Sequence, residues 1–377
     1  ATDMILGVLD TLEPMDTELP TVVEEPRIHA DELPGARDEL AAAVQQPVKV
    51  EFEGETWDIP PADLTKFLTV ETVSSANGPD VELAFERDAL AAWLRESFSE
   101  RINRAPVDAR IAWSAEEGGL VSLDESVTGA ALRSNAFADA VAESFLGDRA
   151  VVEAPVVVTS PEIDSNNLGA LGIDGLLARG DSNFAGGAEN RDNNIYVGVK
   201  LMNGELIAPG EEFSFNGAVG EITYEKGFVD GGAIENGIIG RAVGGGICQV
   251  STTVFRAALL AGMPITAWDP HSLRLLGYER DGWTAGYDAS ILQSGSDPAH
   301  WSDFRFKNDT DGYMLVHAWT SYPHVIVEIY GNDDGREVTV GDAQFSKPDG
   351  HFAAWFTRVI TYADGRTAER TFSSYYQ

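Results

Sequence analysis

Three glycines in a row, Gly244, Gly245 and Gly246, run directly into a helical apolar pattern. Glycine reaches backbone angles that other residues resist, so such a run marks a tight turn or a close approach of backbones. Behind it, Val250, Val254, Ala257, Ala258 and Ala261 share one helical face, and Gly262 then Pro264 stop the helix in the expected order. Cys248, the sole cysteine, therefore falls at or just before a helix N-terminus. Unpaired N–H groups and the positive end of the helix dipole favour thiolate over thiol there. The same amides of Gly244, Gly245 and Gly246 suit the negative oxygen of a tetrahedral intermediate. A phosphate cradle fits poorly, because no Walker-type lysine follows the glycines.

A nucleophilic cysteine needs a base and a group that orients it. Residues 265–268 read as a strand after the helix, His271 follows it, and a further strand is expected to open at Asp288. Glycine turn, cysteine at a helix start, histidine, then carboxylate is an order that resembles the core of transglutaminase-like and papain-like enzymes. The reading is then Cys248 as nucleophile, His271 as base and Asp288 as the orienting group. Gln249 and Asn216 are further side-chain donors, and Arg191, Ser251 and Thr252 are candidate substrate contacts with Asn216. Plainer readings stand beside each. A cysteine in a glycine turn is also what remains where only a small residue fits, a single histidine is commonly a core or surface hydrogen-bonding residue, and Asp288 can simply cap a turn.

The 26 Lys and Arg residues face 61 Asp and Glu, a net charge of −35 that argues against nucleic acid, whose phosphates would be repelled. It argues equally against electrostatic attachment to anionic lipids or wall polymers, so any wall binding must come from shaped grooves. One cysteine excludes an internal disulfide and a multi-cysteine zinc site. No metal site and no cofactor are expected. At 44% hydrophobic residues the chain is not mainly disordered, and 377 residues call for two or three compact units. No stretch has the apolar length to span a bilayer, so no direct membrane insertion of this segment is expected. The first ten residues lack a secretory signal, and the chain reads as beginning in mid-domain, with an N-terminal anchoring segment expected upstream.

Along the chain, residues 21–26 (TVVEEP) echo 150–155 (AVVEAP), which makes 1–46 read as the tail of a truncated earlier repeat. Residues 47–160 read as one small α+β module. It has a hairpin at 48–52 and 56–59, a helix over 87–103 with Leu90, Trp93, Leu94 and Ile102 on one face, strands around Ile111 and over 120–123, and a helix over 135–145. Trp93 and Trp113 read as core. Residues 161–187, rich in Asn, Gly and Ser, read as a linker or domain seam. A mixed α+β domain over 188–335 follows, with an amphipathic helix over 193–202, a short strand over 212–215, and antiparallel strands over 304–307, 314–320 and 325–330. A last hairpin, 354–362 with 367–374 around Asp364-Gly365, makes 336–377 a C-terminal extension.

The run GGGICQVSTTVFRAALLAG is similar to the signature of the VanW family, and other motifs extend the resemblance. Upstream stand Arg191-Asp192-Asn193-Asn194-Ile195, the Pro209-Gly210 turn with Phe213-Ser214-Phe215-Asn216, and Val219-Gly220. Downstream come His271-Ser272, the segment at Asp288 and Phe304-Arg305-Phe306-Lys307-Asn308. Two departures are Asp269-Pro270, where many relatives carry a second histidine, and the glycine-rich 227–232. Residues 47–160, above all 102–109, resemble the repeats associated with peptidoglycan binding that precede such domains. The resemblance implies an extracytoplasmic, envelope-associated protein with peptidoglycan or its peptide stem as partner, and a link to vancomycin resistance. Acyl transfer or amide hydrolysis through Cys248 is the expectation. A non-catalytic wall-binding scaffold and a single-turnover thioester anchor remain open beside it.

Overall fold

The computed structural model describes residues 34–75, 78–147, 151–235, 238–294 and 297–377. The repeat motif at 21–26, and the first residue of its match at 150, lie outside them. The chain is α+β and divides into two compact units, 34–106 with 128–159, and 107–127 with 160–377.

The first unit opens with helix α1 (Pro34–Ala43) and strands β1 (Val48–Phe52) and β2 (Glu55–Ile59), an antiparallel hairpin in which Val48 pairs with Ile59. A second hairpin, β3 (Leu68–Ser75) and β4 (Gly78–Phe85), leads to helix α2 (Arg87–Ile102). Leu90, Leu94, Phe98 and Ile102 recur every four residues along α2 and are all buried, which is the pattern of a helix facing a core. The ribbon β5 (Arg110–Ser114) and β6 (Gly119–Asp124) belongs to the second unit. The first unit resumes with β7 (Gly129–Leu132), helix α3 (Ser134–Leu146), β8 (Val152–Glu153), parallel to β1, and β9 (Val156–Thr159). Trp93 packs at the edge of this core, 5.6 Å from the Phe67 ring.

The second unit is built on an antiparallel sheet in the order β10 (Gly175–Asn183), β18 (His324–Gly331), β17 (Met314–Ser321), β11 (Glu205–Ile207). Helix α4 (Glu189–Met202) buries Ile195, Val199 and Met202 at helical spacing. A smaller sheet orders β12 (Glu212–Ser214), β16 (Arg305–Lys307) and β15 (Ile265–Ala267), and β13 (Asp230–Glu235) pairs with β14 (Ile238–Val243). Helix α5 (Cys248–Leu260) packs on β10 and β18 and is buried on every side from Gln249 to Leu259. Its end is a Schellman turn: Met263 N–H bonds Ala258 at 3.0 Å, Gly262 N–H bonds Leu259 at 3.3 Å, and Gly262 takes φ +73°. The last sheet sets β21 (Phe352–Thr361) between β19 (Glu337–Val340), β20 (Gln344–Ser346) and β22 (Thr367–Tyr376).

Three expectations are corrected here. The segment 161–187 is not a linker throughout, because β10 occupies its second half and pairs with β18 over Gly175–Asn183. Its small residues serve contact with α5. A Cβ on Gly180 would stand 2.5 Å from Thr253 O and from Ala257 N, and Ser182 Oγ lies 2.6 Å from Thr253 Oγ1. The ribbon 107–127 does not stay with 47–160, since Ala109 and Ile111 share a core with Ile163 and Leu171, and Trp113 stacks on Tyr330 at 4.2 Å. Nor is 336–377 an appendage, for Phe356 and Phe372 lie in the main core with Phe255. No helix among the described residues is long and apolar enough to cross a membrane.

The Gly180 contact yields a test. Gly180→Ala should destabilise the second unit by about 1–3 kcal/mol, the usual cost of overpacking a core. Gly277→Ala, at a position with open space around it, should shift the urea midpoint by far less. Equal midpoints for the two variants would refute the close approach.

Candidate active site

The glycine turn joins β14 to α5. Gly244 at φ +79° and Gly246 at φ +112° occupy backbone conformations that side chains disfavour. Asn194 of α4, fully buried, bolts this turn in place. Its Nδ2 donates to Gly245 O and Val229 O, both at 2.9 Å, and its Oδ1 accepts Val229 N–H at 2.8 Å. Gly244 N–H donates to Val229 O and Gly245 N–H to Ala242 O, at 3.0 and 3.1 Å. Those two amides are engaged within the turn, which corrects their assignment as oxyanion donors. Among the described residues no backbone acceptor takes the N–H of Gly246 or Cys248.

Cys248 is the first residue of α5 and is partly exposed. Its sulfur lies 3.5 Å from both the N–H and the carbonyl oxygen of Ile291. The His271 imidazole stands close enough to the sulfur to lower the thiol's pKa and to have its own raised. His271 Nδ1 meets Asp288 Oδ2 at 2.7 Å, and the same oxygen accepts the His271 backbone N–H at 2.8 Å. With Nδ1 committed to the carboxylate, Nε2 is the nitrogen left for the thiol. Tyr376 Oη donates to the other carboxylate oxygen at 2.6 Å. Cys248, His271 and Asp288, grouped from sequence, do come together.

The electrostatics follow from burial opposed by pairing. Burial disfavours charge on the Cys248 thiol, but the His271 hydrogen bond and charge, with the Ile291 N–H, outweigh it and hold the thiol below its ordinary range. Burial also opposes charge on His271, yet Asp288 and the Cys248 sulfur raise it to about 10. Asp288 is buried too, and the hydrogen bonds from His271 and Tyr376 keep it below the usual carboxylate range. Each member of the Cys248–His271 pair thus favours the charged form of the other.

Asp288 does not open a strand as expected. Residues 287–290 lie outside any ladder, and side chains meet their backbone groups instead. Arg256 Nε donates to Tyr287 O at 3.0 Å and Trp268 Nε1 to Asp288 O at 2.9 Å. Ser251 and Thr252 hydroxyls donate to Ala289 O at 2.6 and 3.1 Å, and Thr252 Oγ1 accepts Ala289 N–H. Both residues are fully buried, so they are fasteners of the Asp288 segment and not substrate contacts. Asn216 is likewise a fastener, bonded to Ser302 O and Gln293 Nε2 and buried. The expected strand 212–215 stops at Ser214, whose hydroxyl caps the short helix Phe215–Val219 by accepting Gly217 N–H at 2.9 Å.

Several neighbours escaped the sequence reading. Tyr278, buried, sets its ring 5.1 Å from that of His271. Arg256 is the largest fully buried side chain, and burial lowers its pKa to about 10. Its lone charge inside the apolar run of α5 was the available signal. Tyr376 stands 88 residues beyond Asp288, and no spacing announces it. Arg191 Nη2 donates to Gln249 Oε1 at 2.6 Å, which places two candidate residues side by side. Elsewhere in the unit Asp181, Asp281 and His324 present metal-ligand atoms within 4.8 Å of one another. His324 Nε2 and Asn183 Nδ2 already bond Asp281 Oδ2 at 2.9 Å, a structural tie.

Tyr376→Phe isolates the outer hydrogen bond of this chain of contacts. Asp288, with its lowered pKa, contributes stability that is present above the ordinary carboxylate pKa and lost as pH falls through the folded value. The variant should lose about 1.5–3 kcal/mol at pH 7, the range for hydrogen bonds to charged groups. That loss should shrink as acid protonates the carboxylate. A loss independent of pH in denaturant titrations would contradict the assignment.

Residues 190–330 match the model of the family described as VanW like protein. The match contains Arg191, Cys248, His271 and Asp288 and stops short of Tyr376. An uncharacterized protein, YoaR of Bacillus subtilis (strain 168), is 31% identical over 182 residues, 48% of this chain and 56% of its own. A vancomycin B-type resistance protein, VanW of Enterococcus faecalis (strain ATCC 700802 / V583), is 26% identical over 165 residues, 43% of this chain and 58% of its own. The chain thus spans little more than half the length of these relatives. A solved structure, described as the Ldtfm-avibactam carbamoyl enzyme, is 11% identical and covers 56% of this chain and 75% of its own, with a TM-score of 0.25, too low to imply a common fold.

Proposed function

We propose that this protein acts at the cell envelope through Cys248, by acyl transfer or amide hydrolysis on a peptide stem of peptidoglycan. The observation that carries the reading is the line Tyr376–Asp288–His271, joined at 2.6 and 2.7 Å, with the imidazole near enough to the Cys248 thiol to lower its pKa. The match to the VanW like protein model and the similarity to a vancomycin B-type resistance protein support the envelope. Residues 47–106 with 128–159 would recognise the wall polymer.

In this reaction the Cys248 thiolate attacks the carbonyl carbon of an amide, forming a C–S bond. The N–H groups of Gly246 and Cys248 receive the oxyanion. Collapse breaks the C–N bond, and the leaving amine takes the proton from His271 Nε2. Water or an amine acceptor then gives a proton back to His271 and attacks the thioester, which breaks the C–S bond and restores the thiolate. Asp288 keeps the imidazole in one orientation and stabilises its charge throughout.

Iodoacetamide alkylation of native protein across pH tests the nucleophile. The rate should reach half its maximum well below the pH at which free cysteine does, because the thiolate persists where an ordinary thiol is protonated. His271→Ala should move that midpoint upward, and Asp288→Asn should move it less. Turnover, which also needs the imidazolium, should fall as pH passes about 10, where His271 loses its proton. An ordinary midpoint that ignores His271 would remove Cys248 as a nucleophile.

A further inference from the structure

Arg191 is a cation without an anion. The chain carries 61 acidic residues against 26 basic ones, yet among the described residues no ion pair includes Arg191. Asp192, next to it in sequence, does not pair with it either. Its side-chain partner is neutral, the Gln249 amide oxygen, 2.6 Å from Nη2. Arg191 is partly exposed, and its stem lies against Gly246, where a Cβ would stand 2.6 Å from Arg191 Cγ.

Gln249 supplies the second observation. It is 1% exposed, and its Nε2 has no hydrogen-bond partner. A guanidinium can only donate, so the amide oxygen must face Arg191 and the amide nitrogen must point away from it. A buried donor left open costs about 1–3 kcal/mol. A group kept at that cost beside an unpaired guanidinium, one residue from Cys248, matches a ligand rich in acceptor oxygens.

We propose that Arg191 and Gln249 form a carboxylate subsite beside Cys248, so that the substrate is a peptide whose free C-terminal carboxylate lies next to the bond attacked. This rests on Cys248 being the nucleophile. The Arg191 fork meets the carboxylate with charge-assisted donors, and its bond to the Gln249 oxygen fixes where the fork stands beside Cys248. The Gln249 oxygen holds the guanidinium fork in one orientation before substrate arrives, which lowers the cost of ordering it. The protein as a whole repels anions, so discrimination for a carboxylate has to be local.

Two alkylating reagents of nearly equal size separate charge from reactivity. The ratio of iodoacetate to iodoacetamide rates at Cys248, divided by the same ratio for free cysteine, should exceed one by about tenfold, and the iodoacetate rate should saturate. Arg191→Gln should return the normalised ratio to one, and Arg191→Lys, which keeps the charge but loses the fork, should fall between. A ratio of one in the unmodified protein, or a ratio that Arg191→Gln leaves alone, overturns the subsite. Binding to Cys248→Ala protein decides the same point without any thiol chemistry. N-acetylalanine should bind about tenfold more tightly than N-acetylalaninamide, and Arg191→Gln should erase the difference. Equal binding of acid and amide overturns the subsite even where alkylation upholds the nucleophile. Slow alkylation by both reagents with a preserved preference for the acid overturns the nucleophile alone.

Discussion

The second unit depends on one buried guanidinium. Arg256 projects from the middle of α5 and donates to the backbone oxygens of Asp181, Tyr278 and Tyr287, at 2.7, 2.7 and 3.0 Å. Its face is covered by the Trp283 ring, 4.2 Å from the guanidinium carbon. The three carbonyls belong to β10, to the turn that carries Tyr278 against His271, and to the residue before Asp288. A single side chain thus sets the positions of a sheet edge and of two site segments relative to the helix that carries Cys248. Only arginine offers enough fixed donors to do this, and lysine could not copy the fork. The cost of burying its charge is visible in its lowered pKa, and the hydrogen bonds to three carbonyls and the aromatic cover offset it.

Around that centre, α5 replaces a sheet as the partner of residues 287–291. Cys248, Ser251, Thr252 and Arg256 lie along one side of the helix at offsets of three, four and eight residues. Cys248 meets the N–H of Ile291, Ser251 and Thr252 share the carbonyl of Ala289, and Arg256 takes the carbonyl of Tyr287. A strand ladder would have fixed the backbone equally well, but it would have used the Ile291 N–H that faces the sulfur. The side-chain arrangement leaves that donor to Cys248. It also explains why the helix carries hydroxyls in its most buried positions, where an apolar residue would ordinarily pack.

Much of this was legible in the residues, and the failures have physical causes. The glycine turn, the extent of α5 and its glycine–proline ending follow from backbone rules that act over a few residues, and the structure has them as expected. The apolar periodicity of α2 and α4 was equally plain. Composition misled at 175–183, where glycine and serine signal a helix lying almost on the strand backbone instead of a loose connection. It misled again at Ser251 and Thr252, because a hydroxyl in a motif looks the same whether it meets a ligand or a buried carbonyl. Tyr376 was invisible for a different reason. Its contact with Asp288 spans 88 residues, and nothing local in a strand of alternating pattern distinguishes it from any other inward tyrosine.

The contribution of Tyr376 changes what counts as the unit of function. The stretch that matches the family model ends at residue 330, before the sheet that carries Tyr376. Within this chain, however, the hydrogen-bonded line from Tyr376 through Asp288 to His271 crosses that limit. Phe356 and Phe372 bury the same sheet against Phe255 and Tyr287, so the phenol is held by packing and its orientation costs little extra order. A carboxylate with both oxygens engaged has one orientation to offer an imidazole. That restraint commits the carboxylate to His271; its charge still opposes the Cys248 thiolate, and the imidazole outweighs it.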